Sequence, residues 1–178
     1  MSGKTIGKSL NYGFAGSFAR TPDMIITTRP NTSGVNIPLG TALVYDTAGG
    51  TGTGGTGTTG GVKPSDSNFT SDKFVGIAGR ETKSMLNYLD QNGGAAYAPN
   101  EAVSVFQRGS ISVICKVGNP TIGGAVYVRT VEDTGKAIGD LEAIADGMAN
   151  VQLTNAQWGS GKDANGVCEL VLLTRNNA

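Results

Sequence analysis

The sequence predicts an all-β domain: a compact β-barrel or jelly-roll-like sandwich of about eight short strands, with an extended N-terminal arm and at most one short helix. Three observations carry this expectation. In AVSVFQRGSISVICKV (residues 102–117) the odd positions Val103, Val105, Ile111, Val113, Cys115 and Val117 are apolar and the even ones mostly polar, the period of a half-buried strand. Glycine supplies 28 of the 178 residues, roughly twice its usual share, and with Asn, Asp and Pro it separates short apolar runs along most of the chain. Only 16% of residues are charged and 6% aromatic, and a single stretch has helical spacing.

The elements follow in order. Residues 1–35 read as an extended, irregular arm, in which Tyr12, Phe14 and Phe18 sit in a glycine-rich setting and Pro22 and Pro30 remove two backbone donors. Its aromatics either pack on their own domain or anchor on a partner. Residues 36–178 read as one β domain. The first strand is expected at about 41–46. A Gly/Thr tract at 49–61 follows as a flexible loop, and KFVGIAG at 73–79 as a short strand. ETKSMLNYLDQNGG (81–94) is the helix candidate, with Met85, Leu86 and Leu89 on one side and Asn92-Gly93 as a stop. Within 102–117, Gly109 implies a bulge or bend. In AVYVRTV (125–131), Val126 and Val128 share one face and Tyr127 and Arg129 the other. DTGK (133–136) is a turn. LEAIADGMANVQL (141–153) reads as a hairpin around Asp146-Gly147. After a turn ending in Asn165-Gly166, VCELVLLT makes the last strand.

Composition also excludes chemistry. There is no histidine, which removes Ser-His-Asp and Cys-His nucleophile activation and the usual catalytic zinc sites. Formal net charge is zero, which argues against a direct nucleic-acid binder, although Lys4, Lys8, Arg20 and Arg29 make the first 35 residues locally basic. No stretch has the length or apolarity of a membrane span, and no apolar leader segment opens the chain. Cys115 and Cys168 each lie in an apolar run and read as buried structural thiols, with a disulfide between two strands as the alternative. GKT at 3–5 and GKS at 7–9 lack the spacing and context of a phosphate loop. The Gly/Thr tract contains G-x-G-x-x-G in three registers but leads to Pro64 rather than to a helix whose N-terminus could hold a pyrophosphate. Ordering one backbone residue costs about 1–2 kcal/mol, more than a threonine methyl recovers on burial, so the tract cannot order itself. No cofactor and no metal are expected, and the chain is expected not to be an enzyme.

Four segments together carry a resemblance: NYGFAGSFARTPDMIITTRPN, DKFVGIAGRETKSMLNYLDQNGGAAYAPNEAVSVFQRGSISV, GGAVYVR and NAQWGSGKDANGVCELVLLTRNN. They resemble the structural cement, or decoration, proteins of tailed bacteriophages across nearly the whole chain and in order. The Gly/Thr tract matches least and looks like an insertion. The resemblance implies a small β-barrel or jelly-roll-like, non-enzymatic protein made in the host bacterial cytoplasm and carried on the outer surface of the virion. Its implied partners are the major capsid protein, whose neighbouring subunits it bridges against the pressure of packaged DNA, and a second copy of itself. A homodimer is expected, with a homotrimer as the alternative. Aromatic residues and arginine are the usual interface anchors. This selects Tyr12, Phe14, Phe18, Arg20 and Arg29 as capsid-contact candidates, with Arg108 beside the Gly109 kink. The competing reading is a virion-displayed β-module that binds host-surface carbohydrate, with Trp158 as a sugar platform.

Overall fold

A computed structural model of the chain describes residues 13–47, 60–81 and 95–174. Eleven strands follow one another there: β1 (Phe18–Pro30), β2 (Ile37–Pro38), β3 (Ala42–Tyr45), β4 (Val62–Pro64), β5 (Phe74–Ala78), β6 (Ala96–Tyr97), β7 (Ala102–Val117), β8 (Ala125–Arg129), β9 (Leu141–Glu142), β10 (Asn150–Trp158) and β11 (Val167–Leu172). The only helical element among the described residues is a 3₁₀ turn at Ser71–Lys73. The helix candidate, apart from Glu81, and the Gly/Thr tract, apart from Gly60 and Gly61, lie outside the described residues.

The long alternating stretch becomes the axis of the fold. The C-terminal half of β7 pairs with β11 on one edge and with β9 on the other, and the path β9-β8-β10-β11 returns to β7, closing a five-stranded barrel. The N-terminal half of β7 pairs with β1 and β5, and β3 and β4 continue outward from β5. A bridge from Asn31 to Val62 brings β4 back to the end of β1, so this half also curls toward closure. Asn31 is fully buried there; its amide donates to the carbonyls of Val35, Tyr97 and Ala98 and pins the end of β1.

Gly109 joins the two halves. Its φ is +104°, and a Cβ at this position would lie 2.1 Å from the carbonyl oxygen of Asp23, so no side chain fits. Residues 21–24 of β1 bulge past it, between the pairs Arg20–Ser110 and Ile25–Arg108. The bend also shifts the phase of burial. Before it, Val103 and Val105 enter a smaller core with Ile37, Leu43 and Tyr97, while Phe106 points to the larger core. Beyond it the odd positions Ile111, Val113 and Cys115 point into that larger core, around Trp158, Leu153 and Leu170. Phe106 and Trp158 are fully buried; truncating either to alanine would cost about 3–5 kcal/mol.

Three expectations need correction. The stretch 18–30 is extended, but it is not irregular: it is β1, whose partner β7 lies far along the chain, where local pattern gives no sign of it. β7 is not half-buried over most of its length, because the two cores cover both faces and bury Ser104, Gln107, Ser110 and Ser112 as well. LEAIADGMANVQL is not a hairpin. β9 and β10 both run antiparallel to β8, which lies between them, so residues 143–149 cross β8 instead of folding back. Arg129 lies on the face of β8 away from the core and is nonetheless buried, because this crossover covers it. Cys115 and Cys168 are buried and free, as the structural-thiol reading has it.

Candidate functional site

Of the six capsid-contact candidates, five lie within the described residues, and they do not converge. Phe14 precedes β1 in a turn closed by Ser17, whose backbone N–H and hydroxyl both donate to the Phe14 carbonyl at 3.1 and 2.7 Å. Its ring is half exposed, at 51%. Phe18 opens β1 and leans on Phe106, ring centroids 5.8 Å apart, keeping 38% exposure. Arg20 is largely exposed but donates from Nε to the buried carboxylate of Glu169 at 2.8 Å. Arg108 pairs with Asp23 at 3.2 Å across the bulge. Arg29 stacks over Tyr45 at 5.5 Å. Arg20 and Arg29 are separated by roughly 30 Å of extended strand. Tyr12 lies outside the described residues. The carbohydrate reading loses its platform, because Trp158 is fully buried in the core.

Three of the exposed apolar residues, Phe14, Ile114 and Ile138, border one groove. A groove of about 740 Å³ lies over the outer face of β7, within the range of about 300–1,000 Å³ usual for ligand clefts. Its floor is Ile114 and Lys116, the two outward side chains near the end of β7. One wall is the lead-in to β9, with Ile138; the other is the lead-in to β1, with Phe14. Phe14, Ile114 and Ile138 are 51%, 39% and 38% exposed. The Phe14 wall is held by close glycine contacts: Gly16 and Gly40, both with positive φ, let residues 15–16 lie against 39–40, where a Cβ on Gly16 would come within 2.9 Å of that of Leu39. The one carboxylate in the described lining, Asp140, accepts the backbone N–H of Ala137 at 2.8 Å. Among the described residues Lys116 has no ion-pair partner. Ser65, whose hydroxyl would be 3.0 Å from a Cβ on Gly139, is buried, and that hydroxyl has no hydrogen-bond partner among the described residues. The sequence carried one sign of this site: Ile114 is an apolar residue in the polar phase of its strand.

A second feature escaped sequence reasoning entirely. The crossover 143–149 is tied down by Arg129, whose Nε donates to Glu142 Oε1 and whose Nη2 donates to Glu142 Oε2 at 3.1 Å and to Asp146. Asn150 donates from Nδ2 to Glu142 at 2.6 Å and to the Ile144 carbonyl at 2.9 Å, and its Oδ1 accepts the Asp146 N–H. Glu142, and then Asp146, raise the affinity of the Arg129 guanidinium for its proton. Arg129 and then Lys136 hold the Asp146 carboxyl below the usual range. The ion pairs thus fix a strap whose outward side chains, Ile144 and Met148, are 55% and 95% exposed. Glu142 accepts through both carboxylate oxygens, whereas Asp146 accepts through Oδ2 and stays partly exposed. Among the described residues no cluster of His, Cys, Asp and Glu could hold a metal ion, and no helix is long and apolar enough to cross a membrane.

Comparison with known proteins agrees with this architecture. A solved chain from the capsid of Myoviridae phage XM1 has the same fold, with a TM-score of 0.63 at 14% identity, over 96% of this chain and 97% of that one. No curated protein matches the chain. The family model described as structural cement protein (E217 gp24/Pam3 gp6) matches residues 3–173. A virion structural role follows from that match, and the chain belongs to the phage structural cement protein family.

Proposed function

We propose that this protein binds the outer surface of the assembled phage capsid and bridges neighbouring major capsid subunits, stabilising the shell against the pressure of packaged DNA without catalysing a reaction. The family match over residues 3–173 carries the reading. The fold supports it: a doubly cored β body presents large apolar side chains on turns and crossovers. A ligand that binds the assembled shell and not the free subunits stabilises assembly by mass action, and bridging two subunits adds avidity. A standard interface buries roughly 1,600 Å² in total. The contacts proposed are Phe14, Phe18 and Arg20 at the start of β1, Arg108 at the bulge and Arg29 at the far end of the strand. Because residues 18–30 belong to the sheet, the reach toward a neighbour is assigned to the segment before Phe18, including Tyr12, rather than to all of 1–35. The body is then 36–178 together with β1, and it acts as a homodimer.

The test uses expanded capsid shells prepared without this protein. Full-length protein should co-sediment with them and raise their resistance to heat. Deleting residues 2–12 leaves every described residue in place and should abolish co-sedimentation while preserving the unfolding transition. Shells equally heat-resistant with and without bound protein would refute cementing. Normal binding of the truncated protein would refute the role of the N-terminal segment.

A further inference from the structure

Two lysine triplets remain without a role: GKT at 3–5 and GKS at 7–9. Each is followed by an aliphatic residue, so GKTI and GKSL form a tandem repeat. Read with the two-residue period of an extended chain, Lys4, Ile6, Lys8, Leu10 and Tyr12 share one face, while the other carries glycine, threonine, serine and asparagine. One side of the segment is thus basic and apolar, with lysines and aliphatics alternating about 7 Å apart.

The body carries the complementary surface. The crossover 143–149 leaves Ile144 and Met148 exposed at 55% and 95%. Val131, whose N–H donates to the carbonyl of Ala149 beside Met148, is 52% exposed. Covering such side chains is favourable by about 25 cal/mol per Å² of apolar surface. Glu132, Asp133 and Asp146 are exposed in the same segments. Residues 129–146 hold five carboxylates and two cations, a formal excess of three negative charges. Both cations are shared among these carboxylates, Arg129 with Glu142 and Asp146, Lys136 with Asp133 and Asp146. The groove over β7 is not the acidic part, since Lys116 and Arg80 line it together with Asp140. The described chain also begins close by. Gly13 lines that groove with Ile138 and Asp140, and Lys136, two residues before Ile138, lies 3.2 Å from Asp146 of the crossover. The twelve residues before Gly13 can span up to about 40 Å, enough to reach the crossover of their own body, where the tether gives a high effective concentration.

We infer that in the free protein residues 3–12 dock on the crossover surface of their own chain, with Lys4 and Lys8 against Glu132, Asp133 and Asp146 and with Ile6 and Leu10 against Val131, Ile144 and Met148. The contact has an apolar centre and a charged rim, the usual anatomy of an interface. It does not depend on cementing. Where cementing holds, the segment assigned above to a neighbour is kept on its own body until a shell competes for it.

The experiment uses the purified full-length protein without shells. Equal amounts of isotopically light and heavy protein are mixed and treated with a carbodiimide, which joins a lysine amine to a carboxylate in contact with it. Lys4 or Lys8 should couple to Glu132, Asp133 or Asp146 within light and within heavy copies. The coupling should disappear at about 1 M salt, where charges are screened beyond about 3 Å. Trypsin cleavage after Lys4 and Lys8 reads the same contact without modifying the lysines. The double variant Glu132→Gln, Asp133→Asn should be cleaved there roughly fivefold faster or more, since it loses exposed ion pairs. Met148→Ser should also speed cleavage. These positions are exposed, and Asn at 133 keeps the oxygen that accepts the Thr134 N–H, so the unfolding transition should not move. Coupling between light and heavy copies would place the segment on a second copy and overturn the inference. So would the absence of coupling to these three carboxylates, or cleavage of wild type as fast as of the variants. Shell binding enters none of these measurements, so cementing stands or falls separately.

Discussion

Replacing Arg129 with methionine isolates the strongest electrostatic feature of the molecule. Arg129 is 1% exposed and Glu142 0%, and Glu142 accepts from two guanidinium nitrogens and from Asn150. Methionine has a comparable stem but no charge, so Glu142 would remain buried with Asn150 as its one donor. Breaking a buried ion pair by removing one partner costs about 3–5 kcal/mol. In a chain of this size 1 kcal/mol moves the melting temperature by about 2–4 °C, so the expected fall is roughly 6–20 °C. Thermal unfolding followed by Trp158 fluorescence reads this directly, since Trp158 lies in the core and is the sole tryptophan. The double variant Arg129→Met, Glu142→Leu removes both charges and should recover most of the loss. A fall of less than about 2 °C in the single variant would refute the strap as a charge-locked element.

Three further outcomes are expected. Gly109→Ala should destabilise the protein by more than the roughly 1–2 kcal/mol of a positive-φ penalty, because its Cβ would also meet the Asp23 carbonyl; a urea midpoint equal to wild type would refute the fixed bend. Asp146 has a depressed folded pKa, so its stabilisation is complete above the unfolded value near 3.9 and is lost as pH falls through the folded value. Asp146→Asn should therefore melt below wild type at neutral pH, with the gap closing below about pH 4; a gap independent of pH would contradict the ion pairs. Finally, Cys115 and Cys168 should resist a thiol-specific reagent in the native protein and react together on unfolding; rapid native labelling of either would contradict its burial.

What could be read from the sequence was local. β7, β3, β5 and β8 have the expected positions because alternation and flanking turns are properties of consecutive residues. The DTGK turn forms as expected, with reciprocal backbone hydrogen bonds between Asp133 and Lys136 at 3.1 and 2.9 Å. β1 escaped because its strand character depends on β7, and polar residues such as Thr27 and Thr28 disguise it. The crossover 143–149 escaped because Asp146-Gly147 does form a turn, with Ala149 N–H donating to the Asp146 carbonyl at 2.9 Å, yet β8 has already taken the place between the two arms. The burial of Arg129 has no sign in its pattern, because its phase on β8 is outward and the crossing segment covers it. As for the candidate site, Phe14 was readable as an exposed aromatic. The groove it borders gathers segments from residues 13 to 167 and has no sequence signature.

The shared strand also governs how the protein answers a pull. β7 has partners on both edges, β1 and then β9 along one, β5 and then β11 along the other. It therefore has no bare side from which to be peeled. A tug directed along its axis sets many ladder hydrogen bonds in shear together, whereas a tug across a terminal strand meets them one after another. Phe18 and Leu172, at the outer ends of the first and last described strands, flank β7 on opposite edges at Ile111 and Gly109, near the waist of the molecule. Traction on either end thus enters where the two cores meet, and its direction relative to β7 decides whether the body resists as one piece or unzips.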